Sequence, residues 1–300
     1  MKEKIAIIIN SSLDIRKLNS WESKIYSFEG PAPYIKHRIF DKLEDYDYDI
    51  FMQLNYNGEM NEHIEHQIKF LTETYNPKRL KIIKTEDLEQ EIEDNIDWHI
   101  KPIVKADRFY KHFPQHYGFF NECRDLINEN YDYFFKLRPD VYPQFYFSLA
   151  EAIQRYEPIG PKENRLWTSD CFIVNNKHRP IHCKDIVLIY DKKLMENCLR
   201  VLNDWMYECY FEIEMMRKMI WPREGNDPYI NVEGALGKLI QMTNANVTVH
   251  QNYCGHALYR DTHLVLKNEK IDNPFSKDMN HRIGMLSYKW FQQEQVWQEE

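Results

Sequence analysis

From Ile5 to Ile9 every residue is apolar, and the run stops abruptly at Asn10-Ser11-Ser12. A continuous apolar stretch of this length predicts a strand buried on both faces, as in a parallel sheet covered by helices. After Gly30-Pro31-Ala32-Pro33, the apolar positions Ile35, Ile39, Phe40 and Leu43 predict a helix beginning near Tyr34. Residues 48–54 predict a second strand, and Arg79–Lys84, with Leu80, Ile82 and Ile83, a third. Residues 86–97 are mostly acidic, yet Leu88, Ile92 and Ile96 recur every fourth position, which predicts a helix with one buried stripe and a solvated charged face.

Phe119, Phe120, Cys123, Leu126 and Ile127 repeat at helical spacing, and Tyr131, Tyr133, Phe135 and Leu137 then alternate as in a strand. That strand runs into Arg138-Pro139-Asp140. Residues 166–174 predict another strand, and residues 194–219 one long helix through Cys198, Leu202, Trp205, Cys209 and Ile213. Asn226-Asp227-Pro228 has the form of a helix start, with Val232, Ala235, Leu236, Leu239 and Ile240 on one face. Val247 and Val249 mark a late strand. Strands and helices alternate through Val174 and helix-rich sequence follows, so the expected fold is α/β, a single domain whose mixed, mainly parallel central sheet is flanked by helices. No internal repeat, low-complexity tract or clear linker divides the chain.

Composition narrows the function classes. The 300 residues carry 39 Lys plus Arg against 47 Asp plus Glu, a formal charge of −8, so no overall positive field draws nucleic acid, although a local basic groove stays open. The six cysteines include no C-x-x-C pair, which favours reduced, buried thiols. The first ten residues hold an apolar run too short for a membrane span and no signal-peptide cleavage region. The expectation is a soluble protein made in a reducing compartment. There is no G-x-G-x-x-G, G-x-x-x-x-G-K-[ST], H-E-x-x-H or G-x-S-x-G, which removes support for the common phosphate loops and zinc proteases. His63 and His66 stand three apart, but Glu62 and Glu65 beside them favour an exposed polar face over a metal pair.

The informative stretch is Tyr131-Asp132-Tyr133-Phe134-Phe135-Lys136-Leu137-Arg138-Pro139-Asp140. An apolar strand ending in a carboxylate delivers Asp140 to the crevice beyond the strand ends, where open α/β sheets place ligands. With the preceding Cys123-Arg124-Asp125-Leu126-Ile127 helix and the later Trp167-x-x-Asp170-x-Phe172, this region resembles glycosyltransferases of the GT-A type, especially the diverse sugar transferases of bacteria, algae and large viruses. The shared features cover about the central quarter of the chain.

The resemblance implies a GT-A-like fold with a Rossmann-like nucleotide-binding half over about residues 1–142. About 143–300 would form an acceptor-binding half and C-terminal tail. It implies a hexosyl- or pentosyltransferase that takes a UDP-linked donor and a carbohydrate or glycoconjugate acceptor, in the cytoplasm of a bacterium or a virus-infected host cell. It also implies Asp140 as ligand of a Mn²⁺ or Mg²⁺ ion that stabilises the departing nucleoside diphosphate. The sequence departs from the family's Asp-x-Asp pattern because Arg138 takes the first acidic place, so Arg138 either contacts phosphate oxygens itself or anchors the loop through a salt bridge.

Asp170 either faces the acceptor sugar or caps a turn, and Glu233 either points into the cleft as a general base or lies on a solvated helix face. Asn10, Ser11 and Ser12 are either nucleotide contacts or simply the first strand-to-helix turn. The aromatic tail Tyr288-Lys289-Trp290-Phe291, with Val296-Trp297, is expected to dock on the core. The sequence thus favours sugar transfer. A catalytically silent glycan- or protein-binding module of the same fold is the main alternative, and a metal-dependent phosphoesterase or nuclease is a weaker one.

Overall fold

The computed structural model describes residues 2–13, 28–29, 31–98, 112–143, 163–168, 171–172, 182–183, 187–219, 232–249 and 256–258. The opening apolar run forms β1 (Lys4–Ser12), whose residues from Ile5 to Asn10 are completely buried. It lies in the middle of a seven-stranded sheet, flanked in parallel by β2 (Asp47–Tyr56) and β4 (Tyr133–Leu137). β3 (Arg79–Lys84) extends the sheet beyond β2, again in parallel. On the other side come β9 (Val187–Asp191), β6 (Arg165–Thr168) and β10 (Asn246–Val249), giving the order β10-β6-β9-β4-β1-β2-β3. Only β9 runs antiparallel to its neighbours, so the mixed, mainly parallel sheet expected from the sequence is present.

The two faces follow from strand parity. Ile5, Ile7, Ile9, Met52, Leu54, Phe135 and Leu137 point to the face covered by α1 (Ala32–Arg38) and α2 (Glu62–Tyr75). Ala6, Ile8, Phe51 and Phe134 point to the opposite face. Above them lie α3 (Thr85–Asn95), α4 (His112–Leu126), α5 (Lys192–Arg200), α6 (Leu202–Met219) and α7 (Val232–Thr243). The result is three layers, with α4 lying against β1 and β2.

Three details differ from the sequence expectation. The helix expected from Tyr34 through Leu43 ends at Arg38 and continues as a 3-10 turn, Phe40–Lys42, yet Ile35, Ile39 and Leu43 are buried as their spacing implied. The strand expected over residues 166–174 is split. β6 joins the main sheet, while β7 (Cys171–Phe172) pairs with β8 (His182–Cys183) in a separate ribbon that sets Cys171 opposite Cys183. The single helix over 194–219 is two helices, broken at Val201. Small ribbon β5 (Val141–Pro143) with β11 (His256–Leu258) follows the end of β4. Among the described residues no helix is long and apolar enough to cross a membrane. The aromatic tail and the proposed helix start at Pro228 lie outside the described residues.

Candidate functional site

The strand order 3-2-1-4 reverses direction at β1. From β1 the chain moves outward through β2 and β3, then returns across α3 and α4 to place β4 on the other side. Such a topological switch point opens a crevice at the carboxyl ends of the two strands concerned. Here the opening can be followed residue by residue. β1 and β4 stay paired as far as Ile9 opposite Leu137. β1 then continues beside β2 through Ser12 opposite Asn55, whereas β4 ends and the chain departs through Arg138-Pro139-Asp140. Pro139 has no N–H to give to a ladder, which suits a residue at the point of departure. The structure therefore sets residues 10–12 and 138–140 at the same carboxyl end of the neighbouring strands β1 and β4.

Their side chains are used differently. Asn10 shares the parity of Ala6 and Ile8, so its amide lies under α4, donating to the side-chain oxygen of Gln53. Gln115 of α4 reaches over it, its Nε2 3.5 Å from the Asn10 carbonyl. Ser11 is buried on the other face, its Oγ donating to the Ser12 carbonyl at 3.3 Å. Ser12 is half-buried, and the Leu13 N–H donates to the Asn55 carbonyl at 2.8 Å, holding the end of β1 against β2.

Arg138 and Asp140 form a two-pronged ion pair. Arg138 Nε donates to one carboxylate oxygen of Asp140 at 3.0 Å and Nη2 to the other at 2.7 Å. Parallel N–H···O bonds from guanidinium to carboxylate are the strong, directional form of a salt bridge. The Asp140 side chain keeps 10% of its surface exposed and that of Arg138 keeps 26%, so the cation is the member facing solvent.

This arrangement does not fit a divalent-cation site made by the described residues. Mg²⁺ or Mn²⁺ takes several hard oxygen ligands. Among the described residues one carboxylate, Asp140, stands at the end of β4, and both its oxygens are engaged by a guanidinium, whose charge repels a second cation brought beside it. Among the described residues no group of three His, Cys, Asp or Glu side chains converges for metal binding. Asp170 lies outside the described residues. β6, which leads toward it, runs parallel to β4 with β9 between them, so Thr168 lies on the same sheet edge as Leu137. Glu233 is the second residue of α7, and its side chain also lies outside the described set. His63 and His66 sit on α2, half-buried and exposed respectively, His63 meeting Gln67 at 2.7 Å and His66 meeting Glu29 at 3.3 Å.

Other polar residues were not singled out by the sequence reading. Gln53, Asn55, Lys136 and Thr168 are buried on the α4 face or its continuation, and Asn55 Nδ2 donates to Thr85 Oγ1 at 3.1 Å. Lys136 places its ammonium 6.0 Å from the Phe119 ring centre. The signal was in the sequence, since each polar residue interrupts an apolar strand at an inward position. The Tyr131-Asp132 pair of the resemblance works at the opposite sheet edge. Tyr131 Oη donates to Asp49 at 2.6 Å, and Asp132 accepts from the Lys4 N–H at 2.8 Å.

No protein-family model matches the chain, and no characterised protein matches its sequence. Nucleotide-sugar transferases are among its structural neighbours. The chain is similar to 4-diphosphocytidyl-2C-methyl-D-erythritol synthase from Anaerococcus prevotii, at 12% identity and a TM-score of 0.35 over 95% of both chains. It is similar to apo mouse xyloside xylosyltransferase 1, at 6% identity and a TM-score of 0.40 over 83% of this chain and 85% of that one. A third similar structure is a Drosophila β-1,4-galactosyltransferase 7 variant complexed with manganese, UDP-Gal and xylobiose, at 11% identity and a TM-score of 0.34 over 93% of this chain and 79% of that one. At these identities and TM-scores the likenesses stand as similarities alone.

Proposed function

We propose that the protein transfers a sugar from a nucleotide-sugar donor, UDP-linked, to a hydroxyl group of a glycan or glycoconjugate. The observation that carries this reading is that the Asn10-to-Ser12 segment and Arg138-Pro139-Asp140 both stand at the carboxyl ends of β1 and β4 at their switch point, the place where a doubly wound sheet receives a nucleotide. Of the motif residues, Arg138-Pro139-Asp140 follows the carboxyl end of β4, and β6 ends at Thr168 at the same end of the sheet, two residues before Asp170 in sequence.

In this reading the donor's nucleotide lies along the carboxyl ends of β1 and β2, with backbone groups of residues 10–12 and the half-buried Ser12 as its polar contacts. The diphosphate then faces the Arg138–Asp140 pair. Charge accumulates on the nucleoside diphosphate as the glycosidic bond breaks, so a fixed positive group there favours departure. Asp170 and Glu233 take the acceptor side, where a carboxylate within reach of the hydroxyl would accept its proton. A divalent ion supplies charge stabilisation of the leaving group in the family that the sequence resembles, but no step is assigned to one here, because Asp140 is already held by Arg138.

The test is release of nucleoside diphosphate from a panel of nucleotide sugars, with and without acceptor glycans. Release from at least one donor, abolished by competing nucleoside diphosphate, supports transfer. The ion pair at Asp140 also favours a second reading, a binding module of the same fold that has lost turnover. That reading predicts glycan binding with no release from any donor.

A further inference from the structure

We infer that Arg165 and Trp167 form a buried anion site, on the sheet face that carries Ile5, Ile7 and Phe135, and that it takes a small oxyanion of the phosphate or sulfate type. The inference is independent of the sugar-transfer reading, because both residues belong to β6 and neither belongs to β1 or β4.

Arg165 is the first residue of β6 and is only 6% exposed. Among the side-chain atoms of the described residues, its Nε and Nη2 are buried and reached by no hydrogen bond. Trp167 is 2% exposed, and its Nε1 is in the same condition. Residues two apart on a strand point to one face, about 6.5 Å from each other, and Trp167 packs there with Tyr133, Phe135 and Ile189. Three donors are thus buried on one face of one short strand. A guanidinium withdrawn from water without hydrogen bonds is among the costliest groups a fold can bury, and polar groups so placed are ordinarily met.

The acceptors beside this strand have other partners. Asp191 of neighbouring β9 feels the Arg165 charge, although burial outweighs it and raises the carboxyl's pKa. Its two oxygens accept from backbone instead, from the Leu194 N–H at 2.7 Å and the Arg165 N–H at 2.8 Å. Tyr133, whose ring lies edge-on to Trp167 at 5.9 Å, donates its hydroxyl to Glu3 at 3.1 Å. Every unmet atom on β6 is a donor, so the complementary ligand offers acceptors only, and the guanidinium charge favours an anion over a neutral carbonyl or water. With both side chains more than nine-tenths buried, the group that reaches them is small.

The experiment is heteronuclear NMR of the full chain carrying nitrogen-labelled tryptophan, titrated with sodium phosphate, sodium sulfate and glucose 6-phosphate against sodium chloride at matched ionic strength. The Trp167 indole resonance is the one absent from the spectrum of Trp167→Phe. It should shift saturably with phosphate or sulfate, with half-saturation in the millimolar range, and stay in place with chloride. A tighter response to glucose 6-phosphate would identify the ligand as a phosphoryl group carried on a larger molecule, and a response to the inorganic ions alone would identify the free ion. Arg165→Lys keeps the charge but loses the planar fork, and should weaken the response about tenfold. Phosphate and sulfate also stabilise proteins by exclusion from their surface, so the thermal readout is a difference. Phosphate at about 50 mM should raise the Tm of the wild-type chain by about 3 °C more than that of Arg165→Lys. That difference needs no indole assignment and keeps the test readable if Trp167→Phe fails to fold.

An indole resonance unmoved by all three oxyanions, or moved equally by chloride, would overturn the inference. Equal responses of the wild-type chain and Arg165→Lys would do the same, and either result leaves the nucleotide-sugar reading where it stood.

Discussion

Asp49 draws hydrogen bonds from Lys4 Nζ at 2.8 Å, Tyr131 Oη at 2.6 Å and Lys78 Nζ at 3.2 Å, at the amino edge of the sheet, away from the crevice. Partial burial alone would raise the carboxyl's pKa, but the hydrogen bonds from Lys4, Tyr131 and Lys78 outweigh it and hold the value at about 2. Because the folded pKa lies below the unfolded one, the stabilisation is present above about pH 4 and is lost as pH falls through about 2. Asp49→Asn should therefore lower Tm at neutral pH by about 2 °C and flatten the fall of Tm in acid, because solvent screening limits such a pair to on the order of 1 kcal/mol. Thermal scans across the acid range check both parts. At this scale the sequence made some roles legible and hid others. Asp140 at a strand end could be read as a candidate site, but its bond to Arg138 is a matter of side-chain direction across a turn. Asn10 stands at the expected place, yet the two-residue parity of β1 turns its amide under α4.

The approach of α4 to the sheet depends on Gly118. A Cβ there would come within 2.8 Å of Gln53 Cδ and Nε2, and Gln53 is fully buried and bonded to Asn10. Gly118→Ala gains about 1 kcal/mol in helix propensity. It displaces a buried amide from its partner, which costs about 1–3 kcal/mol. The substitution should therefore destabilise the wild-type chain by about 1 kcal/mol and become neutral or stabilising when Gln53 is also changed to Ala. Urea unfolding of the four-member cycle reads the change of sign. Asp191 is a second local determinant, capping α5 through the Leu194 N–H at 2.7 Å while accepting the Arg165 N–H at 2.8 Å. Its loss in Asp191→Ala should cost about 1–2 kcal/mol in the same measurement. These elements also explain which parts of the fold could be read in advance. Buried stripes such as Leu88, Ile92 and Ile96 give period and location together. β9 was not anticipated from the sequence, because five residues carry too little periodicity, and the break at Val201 was hidden because apolar spacing continues across it.

For the whole molecule, the alternation of strands and helices made the α/β class legible, whereas strand order is a property of long-range pairing that no local pattern states. That order puts β1 near the centre and makes the β1/β4 boundary the topological switch point. The amino edge instead carries the Lys4, Asp49, Tyr131 and Asp132 network, with both halves of the Tyr131-Asp132 motif bonded to neighbouring strands. In the proposed function, opposite ends of one sheet would then receive different work, structural at the amino end and nucleotide binding at the carboxyl end. Hydrogen–deuterium exchange of the full chain with and without a saturating nucleoside diphosphate tests this division most directly. The account predicts added protection in peptides covering residues 10–13 and 138–143, with no change in those covering 47–50. Protection confined to the amino edge, or to α2 and β3 with none at residues 10–13 and 138–143, would contradict it.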